Sequence, residues 1–173
     1  MDRDALAAAI YDRAHLTGTF VLRSGAVTDH YFDKYLFESD PALLRTMAEH
    51  MAPLVPEGTE ALAGLELGGV PLAVMLGQVT GLPVRFVRKE AKSYGTRKLA
   101  EGGDVEGVAI TVVEDVVTSG GQVIVSCGEL RERGAHIQGV VCVIDRDAGG
   151  RDNLAEHDLT LHPLFTRQEI DRE

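Results

Sequence analysis

Tryptophan is missing from this sequence, and cysteine is scarce. The two cysteines, Cys127 and Cys142, fall in a predicted helix and a predicted strand, which matches neither a metal-binding spacing nor a disulfide framework. The six histidines form no HExxH motif or comparable cluster. We therefore expect two buried free thiols and no metal ion held by protein ligands.

Positive charge is also in short supply. Lysine and arginine number 17 against 27 aspartates and glutamates, which gives a net charge of −10. Nonspecific nucleic-acid binding needs a basic surface, so we expect no nucleic-acid partner. No apolar run approaches the roughly 20 residues that span a membrane, and residues 1–4 show no signal-peptide pattern. These absences predict a cytoplasmic protein with no membrane partner.

The residues that are present indicate a single α/β domain, residues 1–173. A chain of this length can bury a sizeable core, and 45% hydrophobic with 25% charged residues is typical of globular proteins. Strand-like and helix-like segments alternate, which predicts a parallel, doubly wound sheet with helices on both faces. The predicted strands are 61–66, 84–87, 108–113 and 139–144, and the predicted helices are 4–14, 41–51, 71–78 and 122–133.

Two segments lie outside this alternation. Residues 18–33 alternate around a glycine turn, which predicts a short hairpin apart from the main sheet. Residues 88–107 lack apolar periodicity and predict a long loop, a feature that is usually functional or disordered in compact domains. We divide the domain into a hood (about 1–40), a core (about 41–150) and a C-terminal tail (151–173) with a last helix.

Polar clusters follow all four predicted strands. In doubly wound sheets, ligands bind beyond the carboxyl ends of the strands. The clusters are Glu66-Leu67-Gly68-Gly69, Arg88-Lys89, Glu114-Asp115 and Asp145-Arg146. Four clusters at one edge predict the position of a binding site.

The segment VVEDVVTSGGQ, residues 112–122, predicts a phosphate site. Thr118, Ser119 and the N–H groups of the two following glycines would form a cup at a helix N-terminus, where unpaired donors and the helix dipole favour an anion. Glu114 and Asp115 would repel phosphate but suit sugar hydroxyls, so the pattern predicts a ribose 5-phosphate. The alternative is an ordinary helix cap followed by flexible glycines. It is not a Walker loop, since GxxxxGK[ST] does not occur.

Basic residues are concentrated in the predicted long loop. Five of the 17 lie within residues 88–98. In an acidic protein this concentration predicts a polyanion site, here for a pyrophosphate. The alternative is a solvated basic loop, as charge runs usually are.

The motifs resemble those of a known family. VVEDVVTSGG resembles the signature of type I phosphoribosyltransferases, which bind phosphoribosyl pyrophosphate (PRPP). FVRKEAKSYGTRKLAEG resembles the catalytic loop of orotate phosphoribosyltransferases, and LRSG followed by YFD, and GLELGGVPLA, match the same family. The resemblance spans Phe20 to Arg146. It implies the type I phosphoribosyltransferase sheet, with a small hood formed by the N-terminal helix and hairpin.

The resemblance also implies the activity. Members transfer the phosphoribosyl group from PRPP to orotate in pyrimidine biosynthesis, with Mg²⁺ held mainly through PRPP. One subunit's loop serves the neighbouring active site, which implies a homodimer. Alternatives are a phosphoribosyltransferase for a purine or uracil, and a non-enzymatic PRPP-binding regulator. The first should lack the LRSG…YFD and RKEAK motifs, and the second should lack the basic loop.

Roles for individual residues follow from the same resemblance. Lys89, Lys92 and Asp115 would be catalytic. PRPP would be bound by the basic loop, the acidic pair and the phosphate cup, namely Arg23, Arg88, Lys89, Lys92, Tyr94, Glu114, Asp115, Val116, Val117, Thr118, Ser119, Gly120, Gly121 and Gln122. Orotate would be bound by Thr118, Arg146, Tyr31 and Phe32. The alternatives are simple packing for the two aromatics and a surface ion pair with Asp145 or Asp147 for Arg146.

Two positions depart from the family pattern. Tyr94 stands where many members have histidine, and Gly68 stands where some have lysine. A phenol can hydrogen-bond a phosphate oxygen but carries no positive charge near neutral pH. Both departures reduce the positive charge expected around pyrophosphate.

Overall fold

The computed structural model describes residues 1–22, 24–90 and 99–171. The strands are β1 (His15–Val21), β2 (Val27–Phe32), β3 (Ala61–Leu65), β4 (Val84–Val87), β5 (Ala100–Glu101), β6 (Ala109–Val117), β7 (His136–Asp145) and β8 (Leu161–Thr166). The helices are α1 (Arg3–Ala14), α2 (Lys34–Glu38), α3 (Pro41–Met51), α4 (Gly69–Thr80), α5 (Gly121–Glu132), α6 (Gly150–Ala155) and α7 (Arg167–Ile170). None of the helices in these ranges is long and apolar enough to cross a membrane.

The predicted α/β fold with a mainly parallel sheet is confirmed. The main sheet has the order β5-β4-β3-β6-β7-β8, and β1 and β2 form a separate antiparallel hairpin. The pairs β4–β3, β3–β6, β6–β7 and β7–β8 are all parallel, while the edge strand β5 is antiparallel to β4. Every residue of β3 is buried, as expected for a parallel strand covered on both faces.

Helices cover both faces of the sheet. Leu6 of α1, Met47 of α3 and Leu72 of α4 belong to the core on one face. Leu130 of α5 and Leu154 of α6 belong to the core on the other. Cys127 and Cys142 are buried and unbridged, which confirms the predicted free thiols.

The strand order contains one reversal, and it lies between β3 and β6. From β3 the chain continues to β4 on one side, whereas from β6 it continues through β7 and β8 on the other. Gly64 of β3 pairs with Val113 of β6, so the two strands end side by side. In open α/β sheets this reversal marks the crevice in which ligands bind.

The structure corrects the predicted strands in three places. The third predicted strand does not end at Val113 but continues to Val117, so the acidic pair lies inside β6. The two-residue strand β5 lies in the predicted loop. It counts as a strand only because it pairs with β4. The predicted tail supplies β8, whose Pro163 obscured the strand pattern and is tolerated because β8 is an edge strand.

The hood is attached to the end of the chain through α1. The Arg3 guanidinium lies 4.6 Å from the centre of the Phe165 ring and donates to the carbonyl oxygen of Leu164 at 2.8 Å. It also forms an ion pair with Glu169 at 2.8 Å. These contacts hold the hood over the carboxyl ends of the strands, where α2 follows the hairpin.

Candidate active site

The predicted phosphate cup lies between β6 and α5. Thr118 and Ser119 are exposed, and Gly120 then turns the chain into the helix with φ +76°. Glycine suits this position because L side chains rarely adopt that φ, and a Cβ would lie 3.1 Å from Cγ of Leu154. The side-chain amide of Asn153 donates to the carbonyl oxygen of Ser119 at 2.9 Å and fixes the turn.

The first turn of α5 offers backbone donors. Gly120 provides no side-chain cap, and the N–H of Ile124 makes the first intrahelical bond, to Gly120 at 2.9 Å. In an α-helix the N–H groups before that bond have no partner within the helix. They border a cavity of about 180 Å³ that is lined by Glu114 and by residues 116–123. This geometry suits a phosphate at the helix N-terminus.

A group of three carboxyl side chains lies behind this cavity. Asp115 is fully buried, and its Oδ2 contacts Nζ of Lys34 at 2.6 Å. Its Oδ1 accepts from the N–H of Val116 at 2.5 Å. The carboxyl groups of Glu38 and Glu114 both interact with that of Asp115. We call Lys34, Glu38, Glu114 and Asp115 the carboxyl cluster.

The three acids differ in their pKa. Burial and the neighbouring Asp115 raise the pKa of Glu38 to about 9, and the same two causes raise the pKa of Glu114 to about 9. Burial opposes ionisation of Asp115 too, but hydrogen bonds from Glu38, Glu114 and Lys34 outweigh it and lower its pKa. The cluster therefore carries one negative charge at neutral pH, on Asp115, balanced by the positive charge of Lys34.

Glu114 and Asp115, which were predicted to hold the ribose hydroxyls together, have different surroundings. Glu114 is partly buried and lines the phosphate cavity, whereas Asp115 lies on the other side of β6, among the hood residues. Neighbouring residues of a strand point to opposite faces, and both acids lie inside β6. Glu114 therefore faces the cavity beside the start of α5, and Asp115 faces Lys34.

Lys34 and Glu38 were not among the predicted site residues. A signal was present, since the chain has four lysines and Lys34 is the one outside residues 88–98. Lys34 and Glu38 are also four residues apart, so they share one face of a helix. What the sequence could not show is that α2 packs against β6.

The turn after β3 touches the same cluster. A Cβ at Gly68 would lie 1.8 Å from Oδ2 of Asp115 and 2.8 Å from Oε1 of Glu38. Gly68 has φ −67°, so its conformation suits other residues, and the lack of space is what favours glycine. The β3–α4 turn, β6 and the hood thus meet at the carboxyl cluster.

The start of the basic segment lies at the same edge of the sheet. The backbone N–H of Lys89 donates to Oε1 of Glu66 at 2.6 Å, while the Lys89 residue itself is exposed. The Arg88 guanidinium lies 3.7 Å from Oε1 of Glu101. The predicted residues Arg23, Lys92 and Tyr94 lie outside the described residues.

A second cavity adjoins Arg146. It has a volume of about 490 Å³, and Tyr31, Phe32, Arg146 and Arg167 are among the residues that line it. The N–H of Arg146 donates to the carbonyl oxygen of Val117 at 2.9 Å, which places this cavity beside the end of β6. Thr118, predicted to contact both ligands, lines the cavity of about 180 Å³ beside the start of α5.

The alternative role of Arg146 was a surface ion pair with a neighbouring aspartate. Among the described residues, the buried carboxyl of Asp145 pairs with Arg151 at 3.5 Å and accepts from the N–H of Asp147 at 3.1 Å. The alternative ion pair of Arg146 with Asp145 or Asp147 is not found among the described residues. The position of Arg146 on the cavity wall is compatible with a role in ligand binding.

The cluster predicts how stability depends on pH. A pKa of about 9 for Glu38 means that the folded protein keeps a proton that the unfolded chain releases above its ordinary value of 4.5. The free energy of unfolding should therefore fall as pH rises from about 5 to about 9. Glu38→Gln mimics the protonated acid and does not titrate, so it should reduce this fall and stabilise the protein by about 1–3 kcal/mol at pH 8.

Thermal unfolding of both proteins between pH 5 and 9 checks this expectation. Glu156→Gln, at an exposed position of the same residue type, is the matched control and should follow the wild type. If the free energy of unfolding fell as steeply with pH in Glu38→Gln as in the wild type, Glu38 would ionise normally in the folded protein.

Known proteins share this sequence and fold. The family model for the phosphoribosyl transferase domain matches residues 42–161. An orotate phosphoribosyltransferase of Nocardioides sp. is 51% identical over 172 residues, which are 99% of this chain and 96% of that protein. The solved orotate phosphoribosyltransferase of Mycobacterium tuberculosis has a TM-score of 0.87 at 25% identity, covering 99% of this chain and 100% of that one. The enzyme of Aeropyrum pernix has a TM-score of 0.81 at 30% identity, covering 95% of each chain. The chain therefore belongs to the phosphoribosyltransferase family and, within it, to the orotate phosphoribosyltransferases.

Proposed function

We propose that this protein transfers the phosphoribosyl group of PRPP to N1 of orotate, giving orotidine 5′-monophosphate and pyrophosphate. The observation that carries the proposal is the arrangement of two cavities at the end of β6. One has unpaired backbone donors for a phosphate, and the other has an arginine and two aromatic residues. Ribose hydroxyls would face Glu114 between them.

The reaction breaks the bond between C1 of the ribose and the pyrophosphate oxygen, whose electron pair leaves with pyrophosphate. The lone pair of orotate N1 forms the new bond to C1. The centre at C1 develops positive charge, and the leaving group develops negative charge. Catalysis then depends on stabilising the leaving group and on excluding water, and deprotonated orotate needs no strong base.

The basic segment is the proposed pyrophosphate site. Arg88 and Lys89 follow β4 at the ligand-binding edge, and the Glu66 carboxylate holds the backbone of Lys89 in place. Arg23, Lys92 and Tyr94 complete the set by resemblance alone. In this proposal the Lys89 ammonium, exposed to solvent here, meets the pyrophosphate when PRPP binds.

The proposed cofactor is Mg²⁺ bound to the oxygens of PRPP. Within the described residues, no group of three or more histidine, cysteine, aspartate or glutamate side chains is placed to hold a metal ion. The carboxyl cluster is a poor cage, because Lys34 already pairs with Asp115 and burial keeps Glu114 protonated. When bound, the ion would neutralise charge on pyrophosphate. The protein's part is to position PRPP.

The cavity beside Arg146 is the proposed orotate site. Orotate differs from uracil by a carboxylate, and a guanidinium can hold two of its oxygens at once. Tyr31 is 43% exposed and Phe32 is partly buried, so both rings have faces available to a flat base. Thr118, which follows the end of β6, remains a proposed second contact.

The assembly and location are also proposals. A homodimer with exchanged loops follows from the resemblance, and the exposed Lys89 is compatible with reaching a neighbouring subunit. The free thiols of Cys127 and Cys142 agree with a reducing compartment such as the cytoplasm. We propose one domain in which the hood covers the site formed by the core.

The most direct test of the function is PRPP-dependent loss of orotate absorbance. We expect turnover with orotate and Mg²⁺, and much slower consumption of uracil or hypoxanthine. Preference for either of those bases would favour the alternative phosphoribosyltransferase. PRPP binding without turnover of any base would favour a regulator.

Arg146→Ala should raise the KM for orotate far more than the KM for PRPP. Loss of a charged hydrogen bond typically costs about 1.5–3 kcal/mol, which is about 10- to 150-fold in affinity. Steady-state kinetics with each substrate varied in turn measure the effect. Arg13→Ala, at an exposed arginine of α1, is the control and should change neither constant. Equal small effects on both constants would place carboxylate recognition elsewhere.

Mixing two inactive variants should restore activity if loops are exchanged. In a hybrid of Lys89→Ala and Asp115→Asn chains, one site would have an intact loop and an intact cluster, and the other would carry both lesions. Equimolar random exchange should recover about a quarter of the wild-type activity, because half the dimers are hybrids with one intact site of two. As a control, each variant is taken through the same subunit-exchange treatment alone and should stay inactive. No recovery after confirmed subunit exchange would show that each loop serves its own subunit.

A further inference from the structure

Lys34 lies where the hood meets the core. It is the first residue of α2, and Asp33 caps this helix by accepting from the N–H of Tyr35 at 3.1 Å. Phe37 is fully buried and belongs to the hydrophobic core that includes Met47 and Leu72, so it anchors α2 on the core. This anchor sets the Lys34 side chain against β6.

The contact of Lys34 with Asp115 is an ion pair at the edge of the buried interior. The Asp115 side chain has no exposed surface, while the Lys34 side chain is 35% exposed. A buried carboxylate is costly unless it is paired, and removal of one partner leaves an uncompensated charge. Among the described residues, Lys34 is the cation in contact with Asp115.

The pair is confined from a third side by the turn after β3. The atom that Lys34 contacts, Oδ2 of Asp115, is the atom that would clash with a side chain at Gly68. The glycine therefore leaves the space in which the pair forms. The ion pair thus joins the hood to β6 at this oxygen, and the β3–α4 turn passes close to it.

We propose that Lys34 is a positioning residue of the PRPP site, which acts through Asp115 to orient the Glu114 carboxyl for the ribose hydroxyls and to neutralise the charge behind it. The inference rests on the proposed function. PRPP carries several negative charges, so an unpaired carboxylate behind Glu114 would oppose its binding. The backbone N–H of Asp115 donates to Oε1 of Glu114 at 2.9 Å, so a shift of Asp115 would also move a hydrogen-bond donor of the Glu114 carboxyl.

The proposal implies a pH-dependent effect. The titratable groups around Lys34 are Glu38 and Tyr35 on α2 and Glu114 and Asp115 on β6, with the Cys142 thiol of β7 paired in register with Glu114. Burial raises the pKa of Cys142, so the thiol stays neutral. Without Lys34, Asp115 can be neutralised by a proton at low pH, but at higher pH it is an uncompensated anion. The penalty on PRPP binding should therefore grow as pH rises.

Lys34→Met tests the inference once the wild-type protein has been shown to be active. We expect the KM for PRPP to rise about 10- to 100-fold at pH 8 and less at pH 6, with the KM for orotate unchanged. Lys34→Arg restores the charge and should recover most of the PRPP affinity. Arg45→Met removes an exposed cation from α3 and should behave as the wild type. Circular dichroism establishes that each variant is folded.

Gly68→Ala is a second, independent variant. Its added Cβ displaces Oδ2 of Asp115 from Lys34, so it should also raise the KM for PRPP selectively. Because both changes break one contact, the double variant should be no worse than the more impaired single variant. This variant keeps the inference testable if Lys34→Met does not fold.

The outcomes separate the inference from the proposed function. If the wild type does not consume orotate with PRPP, the proposed function is wrong. If the wild type is active, the inference is overturned by any of three results. These are a Lys34→Met variant with wild-type KM for PRPP at pH 8, equal effects on both substrates, or no recovery in Lys34→Arg.

Discussion

The ion pair between Lys34 and the buried Asp115 is the interaction on which the site depends. Strand β6 brings two acids to the edge where the strand order reverses, and burial alone would keep both neutral. Lys34 allows Asp115 to ionise, and Asp115 in turn favours the protonated form of Glu38 and Glu114. A cluster that could hold three negative charges is thereby electrically neutral, next to a site for a polyanion. The attachment of the hood through Arg3 and Phe165 keeps Lys34 in place.

The predictions that succeeded concern local signals. Helix α3 was predicted over Pro41–Met51, where Asp40 caps the first turn and proline occupies its start. Helix α5 was predicted to end at residue 133, and the next residue, Gly134, has φ +83°, as glycines that end helices often do. The phosphate cup also follows from local sequence, because the turn and the helix start that form it are adjacent in the chain.

The features that sequence reasoning missed depend on tertiary contacts. Lys34 and Glu38 join the site only because α2 packs against β6, which lies about 80 residues further along the chain. The different surroundings of Glu114 and Asp115 were also not predicted, because the predicted strand ended at Val113 and the observed strand continues to Val117. Strand β8 was hidden by Pro163, which only an edge position tolerates.

The central physical claim is that the three carboxyl groups of the cluster share a single negative charge, which Lys34 balances. Carbon-13 NMR of the glutamate side-chain carboxyl groups measures this directly, with Glu38→Gln and Glu114→Gln providing the assignments. At pH 7 we predict two signals characteristic of protonated acids, one lost in each variant and both titrating toward pH 9. The account would be contradicted if every glutamate signal titrated near the ordinary value of 4.5.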